Sequence, residues 1–435
     1  MDIVIIGAGP AGRFAAMYAA EKGNNVTLIE EKHIGGKCLN QACMVVCAFS
    51  DVSRHLLDAE NFMDIGIIDE HVPKINFTKI TGTIKETQKK IRKIITLETI
   101  STGVEFVQGR ASVDDKEKVV IVNDDEYHYD KLLICTGSSP NIPNISGAEN
   151  ALTYKDILKI KEVPEKLVII GGGSTAAEYA GIFSSMGSEV DILCRTRFLK
   201  MINDSESEEY IVSKLLKNTM VHENVEITDI TDTSVITNNG EIRGTVLLAT
   251  GVKANSEIVK DIVELDEKGN IIVNEFMQTS NEDIYAAGDV IGGFLSTPVS
   301  RMEGMAAIKN IMGNHVKPDY SLIPMTITLP YDVSYLLGSE VSDIGKTIKL
   351  PGASGPSSFW YTLKSRNGYT KETINLETNE INNILAITPS SNIALPYMVK
   401  AIKDGKKAND FDNFLEIHPS TDGIFKLTEY YKRYL

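Results

Sequence analysis

The apolar positions of this chain fall into two alternating rhythms. After Asp2 the run to Ile6 is apolar throughout, which predicts a short strand buried on both faces. A glycine turn and an alanine-rich helix ending near Gly23 follow, then a second apolar run, Val26 to Glu30. That order is a β-α-β unit. Between residues 75 and 96, Ile80, Ile84, Ile91 and Ile95 recur at helical spacing. Short strand-like runs separated by turns extend from Val104 to Ile134, and Pro140, Pro143 and Gly147 mark a linker. A second β-α-β pattern opens at Leu167 and runs to about Cys194. Strands and turns continue to Asp289, and a helix is predicted over Val299 to Ile311. Pro318 and Pro324 punctuate another boundary; beyond it strands mix with a predicted helix near Pro396 to Asp404.

Both units carry a glycine fingerprint at the strand-to-helix turn. In Gly7-Ala8-Gly9-Pro10-Ala11-Gly12, Gly7 permits the turn and Gly9 lets a pyrophosphate approach the helix N-terminus. Gly12 allows close packing, and Glu30 ends the second strand where a carboxylate meets ribose hydroxyls. In the second unit Gly171, Gly173 and Ala176 hold the corresponding positions. Its second strand ends not in an acid but in Cys194-Arg195-Thr196-Arg197. An acid there repels a 2′-phosphate, whereas Arg195 and Arg197 attract one, so the pattern predicts NADP in preference to NAD.

Bulk properties narrow the partners. The chain has 435 residues, enough for about three domains. A net charge of -15 disfavours nucleic acid and anionic lipid, and no apolar run is long enough to span a membrane. The glycine-broken N-terminus reads as a buried strand rather than a signal peptide, which points to the cytoplasm. Five cysteines are too few for a disulfide scaffold and imply a reducing compartment. Three of them, Cys38, Cys43 and Cys47, are clustered, which suggests chemistry. The C-x4-C-x3-C spacing is unlike that of zinc sites, so no metal is expected.

The segment Gly35-Gly36-Lys37-Cys38-Leu39-Asn40-Gln41-Ala42-Cys43 resembles the redox motif of the pyridine nucleotide-disulfide oxidoreductases, the family of dihydrolipoamide dehydrogenase, glutathione reductase and mercuric reductase. Cys135-Thr136-Gly137 and Ala249-Thr250-Gly251 are similar to that family's two A-T-G turns. Thr279 through Gly288-Asp289 resembles its flavin motif, whose Asp holds the ribityl chain, and His418-Pro419 resembles its C-terminal His-Pro pair. The resemblance implies two Rossmann-like dinucleotide-binding domains and an α+β dimerisation domain. Residues 1–145 and 261–318 would form the FAD unit, 146–260 the NAD(P) unit, and 319–435 the dimerisation domain of a homodimer. It implies that NADPH reduces FAD, that FAD reduces a Cys38–Cys43 disulfide, and that a small disulfide is the substrate. Cys43 would be the thiol beside the flavin, Cys38 the interchange thiol, and His418 the proton donor. Thiolate chemistry favours nearby positive charge, and Lys37 is a candidate source.

The sequence departs from the family twice. A family lysine that pairs with a glutamate beside the flavin is missing; Cys47 stands near its place, and Glu178 matches the glutamate. The glutamate that orients the histidine is also missing: Gly423 takes its position and Asp422 is one residue early. These departures keep alternatives in view. They are dihydrolipoamide dehydrogenase, which normally uses NAD; a flavin NAD(P)H oxidase or peroxide-handling enzyme; and a non-catalytic flavin redox sensor.

Overall fold

The run Ile3–Ile6 offers no polar side chain to solvent, so it is satisfied only inside a sheet covered on both faces. In the computed structural model that is where it lies. The structure describes residues 1–435 apart from 70–72, 338–344, 353, 357, 414, 416–418, 420–426, 429 and 431–435. Strand Asp2–Ile6 is central in a parallel five-stranded sheet ordered Ile284–Ala286, Lys131–Ile134, Asp2–Ile6, Asn25–Glu30, Glu105–Gln108. Ile5, Leu28 and Leu133 pack into the core on one face, and Val4, Ile29 and Leu132 into that on the other.

Helix α1 (Pro10–Glu21) follows the first strand. After Glu30 come the short α2 (Gly36–Asn40), the long α3 (Cys43–Asp64) and α4 (Phe77–Ser101), which Asn76 caps by accepting from the Lys79 amide. The second unit repeats the pattern. Strand Lys166–Ile170, α5 (Ser174–Ser185) and strand Glu189–Leu193 belong to a parallel sheet ordered Thr219–His222, Glu189–Leu193, Lys166–Ile170, Thr245–Leu248. Helix α6 (Ser205–Tyr210) runs into a π-helical turn, Ile211–Leu215.

Helix α7 (Thr297–Ile311) packs along α1. The approach is close because residue 304 is glycine: a Cβ there would lie 2.4 Å from the Ala11 carbonyl oxygen. The last sheet is antiparallel, ordered Ile323–Ile327, Val333–Leu337, Ile381–Ile387, Tyr369–Asn375, Gly345–Pro351. Helix α8 (Ser391–Lys403) covers it. Its predicted start at Pro396 needs correction, since Pro396 lies inside the helix. Proline forfeits one helical hydrogen bond, but Ala394, Leu395, Met398 and Val399 are buried against the sheet and hold the turn together.

A two-stranded ribbon, Ser138–Pro140 with Val252–Ala254, links the two parallel units. Beside it, Thr136 Oγ1 donates to the Asn255 carbonyl and Thr250 Oγ1 to the Asn141 carbonyl, each at 2.6 Å. A second junction is aromatic. Phe49 of α3 stacks on Phe77 of α4 at 5.6 Å, and Phe77 meets Phe183 of α5 at 6.3 Å. Gly304→Ala should destabilise the protein by ~1–3 kcal/mol through the forced separation of α1 and α7. An unchanged urea midpoint in that variant would show that the two helices separate without cost.

Candidate active site

The first fingerprint builds a cradle for an anion. Gly7 has φ +107°, and a Cβ there would lie 2.2 Å from the Cys135 carbonyl oxygen. A Cβ on Gly12 would lie 2.0 Å from the Gly7 carbonyl oxygen. Helix α1 has Gly9 at its N-cap with no side chain capping it, so its first amide groups remain open to a ligand. Glu30 accepts from the Ala8 amide at 2.9 Å and from the Lys32 and His33 amides at 2.9 and 3.2 Å, which locks the loop beside the cradle.

Asp289, nearly buried after Gly288, faces the same cleft. It accepts from Ser138 Oγ at 2.7 Å and forms an ion pair with Lys37. Two buried hydroxyls, Tyr154 Oη and Tyr179 Oη, have no hydrogen-bond partner. Tyr154 is within electrostatic reach of Asp289, and Tyr179 of Cys43 and Glu178. Open helix amides, a nearly buried carboxylate and orphaned hydroxyls fit an elongated ligand with a diphosphate and a polyol chain, as FAD has.

The redox motif sits at one side of this cleft. Cys38 is on α2 and Cys43 is the first residue of α3. The hydrogen bond from Cys43 draws the Cys38 thiol down to about 6 against the opposing effect of burial, with Thr297 and Arg301 of α7 assisting. The same bond, followed by burial, pushes Cys43 up. Cys43 Sγ and Thr297 Oγ1 are 3.6 Å apart. The cysteines outside the cluster are different: burial pushes Cys135 up strongly and Cys194 up to about 12, as for inert core thiols.

Glu178 projects from α5 toward α3. Its Oε1 accepts from the Thr328 amide at 3.1 Å, and it forms no ion pair among the described residues. Burial pushes its carboxyl up to about 8, and Cys43 and Asp332 add to the rise. Cys47, one helical turn beyond Cys43, lies within reach of Glu178, and burial raises its thiol too. The structure thus sets a neutral thiol where a cation was expected. The nearest arginine on that face, Arg54, is held by Asp332 at 2.6 Å and the Leu329 carbonyl at 3.1 Å.

The second fingerprint is built like the first. Gly171 has φ +134°, with the Ala249 carbonyl oxygen 2.2 Å from where a Cβ would be. Gly173 is the N-cap of α5 without a capping side chain, and Ala176 is buried in the first turn. Arg195 is exposed and forms no ion pair among the described residues, whereas Arg197 is held by Glu208 of α6 at 2.6 Å. Gly251, with φ +87°, and Gly137, with φ +68°, end the turns beside the ribbon. Thr136 spends its hydroxyl on Asn255, so here it is a fastener between units.

The sequence model of the pyridine nucleotide-disulphide oxidoreductases matches residues 1–304. The chain belongs to that family. It is an FAD-dependent, NAD(P)-linked disulfide oxidoreductase by class. It is 31% identical over 435 residues to an uncharacterised protein of Methanocaldococcus jannaschii, covering 98% of this chain and 97% of that one. It is 28% identical over 443 residues to dihydrolipoyl dehydrogenase of Mycoplasma genitalium, covering 96% and 95%. Among solved structures, its fold matches LpdA of Mycobacterium tuberculosis with a TM-score of 0.87 at 21% identity over 100% of both chains. It also matches the HOCl-induced flavoprotein disulfide reductase RclA of Escherichia coli, with a TM-score of 0.84 at 19% identity over 99% of both.

Set against the family pattern, the structure places Gly36 against Gly9 and Gly288 against Ala11, ties Glu30 to the fingerprint loop and Lys37 to Asp289, and sets Cys43 within electrostatic reach of Cys38 and Glu178. His418, Asp422 and Gly423 lie outside the described residues. Sequence reasoning missed Thr297, Arg301, Ser138, Tyr154 and Tyr179. Thr297 and Arg301 lie on the helix the flavin motif leads into, a signal that was present but unused. No helix among the described residues is long and apolar enough to cross a membrane, and no group of three His, Cys, Asp or Glu among them stands ready for a metal.

Because burial raises Glu178 from its ordinary 4.5 to about 8, the folded state holds a proton there that the unfolded chain releases. Its contribution to stability therefore falls as pH climbs from about 4.5 to about 8. Glu178→Gln should stabilise the flavin-free protein at pH 8 by about 1–3 kcal/mol, allowing for the carboxyl's partial exposure, and should change little below pH 4.5. Equal effects at both pH values in chemical unfolding would mean that folding does not raise the Glu178 carboxyl.

Proposed function

We propose that the chain uses NADPH to reduce a small disulfide through FAD and the Cys38–Cys43 pair. The observation that carries this reading is the placement of the two thiols: Cys38 on α2 follows Gly36, which is pressed against Gly9 of the anion cradle, and Cys43 opens α3 beside Thr297 of α7. A bound FAD accepts a hydride and returns an electron pair to a disulfide. The residues that would hold it are Gly7, Gly9, Gly12, Glu30, Gly36 and Asp289, with Thr136, Gly137 and Gly288 shaping the turns around them.

Two electrons break the Cys38–Cys43 bond and, with proton uptake, leave a dithiol. The Cys38 thiolate then attacks a substrate disulfide, forming a mixed disulfide and expelling one thiolate, which takes a proton. Cys43, losing its proton, attacks Cys38 sulfur, releases the second thiol and re-forms the protein disulfide. His418 is the proposed donor to the leaving thiolate, and in a homodimer it would serve the thiols of the other chain. Glu178, protonated at neutral pH, adds no negative charge to oppose flavin reduction.

NADPH is favoured over NADH because Arg195 is exposed and no acid ends strand Glu189–Leu193. The dihydrolipoyl dehydrogenase relatives make NAD with a lipoyl-type disulfide the runner-up. Residues 1–145 and 261–318 form the flavin unit in this reading, supported by strand Ile284–Ala286 joining the first sheet. Residues 146–260 bind the nicotinamide nucleotide, and 319–435 dimerise. Five cysteines in a chain of 435 residues fit a reducing, cytoplasmic setting. A redox sensor is the second reading, favoured by the absence of a cation beside Glu178.

NADPH oxidation should be measured against a panel of small disulfides, oxygen and peroxide. The expected result is turnover with a disulfide, lost in Cys38→Ser and in Cys43→Ser and kept in Cys47→Ser. Arg195→Glu should weaken NADPH binding by ~1.5–3 kcal/mol. Equal use of NADH by the wild type would refute the nucleotide assignment. Flavin reduction without turnover on any acceptor would favour the sensor.

A further inference from the structure

Lys37 stands where three demands for positive charge meet. Its ammonium pairs with Asp289 and donates to Ser138 Oγ at 2.5 Å, while Ser138 donates to the same Asp289 oxygen at 2.7 Å. The preceding residue, Gly36, is pressed against the anion cradle: a Cβ on it would lie 2.8 Å from Gly9 Cα. The following residue is Cys38, and the Lys37 charge acts to draw Cys43 down. Lys155, within electrostatic reach of Lys37 and Lys32, donates to Ser139 Oγ at 3.3 Å, next to the serine that Lys37 binds. Arg301 lies over the Phe14 ring and acts on Cys38, and Arg54 is paired with Asp332. Glu178 and Cys47 face one another and bring no cation.

We propose that Lys37 is the positioning cation of this site, pairing with Asp289 in the flavin-free protein and supplying positive charge to both the flavin pyrophosphate and the Cys38–Cys43 pair once the cofactor is in place. The proposal rests on the flavin reading of the cleft. It explains how a site whose family lysine is replaced by Cys47 still surrounds its thiols with favourable charge. It also explains why a nearly buried Asp289 tolerates burial: the carboxylate is paired and hydrogen-bonded by Lys37, Ser138 and Ser300.

The test uses flavin-free full-length protein, reconstituted with FAD in one arm and titrated for thiolate absorbance in the other. Lys37→Met and Lys37→Gln should weaken FAD binding roughly tenfold, and Lys37→Arg should restore it to within about threefold. In the dithiol protein without flavin, both neutral variants should raise the pKa of the Cys38–Cys43 pair by ~0.5 or more, while Asp289→Asn should lower it. The groups facing the thiols (Cys47, Glu178, Arg301 and Thr297) are unchanged in these variants. A merely structural Lys37–Asp289 contact would shift the thiols in the same direction whichever partner is removed. That result, or FAD affinity and thiol pKa both unchanged in Lys37→Met, would overturn the proposal. Failure of the wild type to take up FAD would overturn the flavin reading and the pyrophosphate half of this one, leaving the thiol titration to decide the rest.

Discussion

The docking of α3 against α5 governs this site. Cys43 opens α3, and Phe49 fixes that helix through Phe77 to Phe183 on α5. Glu178 and Tyr179 lie on α5 one turn ahead of Phe183, so the aromatic contact sets the redox thiols and the buried carboxyl against each other. Buried aromatic surface supplies the energy, and the stacked geometry supplies the register. Without it the two nucleotide units would be joined chiefly by the Ser138–Pro140 ribbon, and the cleft between fingerprint and thiols would lose its wall.

That placement explains the electrostatics. Two thiols side by side do not ionise independently: the bond between them draws Cys38 down and pushes Cys43 up. On α5, burial raises the Glu178 carboxyl, and Cys47 brings no positive charge to oppose that rise. Asp289 has other partners: it pairs with Lys37 and accepts from Ser138 Oγ.

Much of the fold was legible from local pattern. Ile3–Ile6 and Leu167–Ile170 are too apolar to be anything but central strands, and their glycine turns direct the chain into α1 and α5. The isoleucine spacing found α4, although the helix runs on to Ser101. Pro396 misled the reading of α8 because sequence cannot weigh one lost hydrogen bond against the sheet that buries the helix. The glycines and cysteines of the cleft were also legible, since each is needed by local geometry or chemistry. Tyr154 and Tyr179 were not, because they lie on distant elements and no spacing rule connects them to Cys38, whereas Thr297 and Arg301 sit on the helix that the flavin motif leads into. The pairing of Arg197 with Glu208 was equally invisible, being a contact between a loop and a helix eleven residues on.

Flavin and the Cys38–Cys43 pair, on this account, form a single electron path fed by the nicotinamide nucleotide. Anaerobic titration of the oxidised, FAD-loaded protein with NADPH, counting free thiols at each step, tests that central claim most directly. A disulfide and a flavin each take two electrons, so about two equivalents should be consumed per flavin. Two new thiols, mapped to Cys38 and Cys43, should appear with the first equivalent, before the flavin absorbance is lost. Complete loss of the flavin absorbance after one equivalent, with no new thiols at Cys38 and Cys43, would contradict the claim.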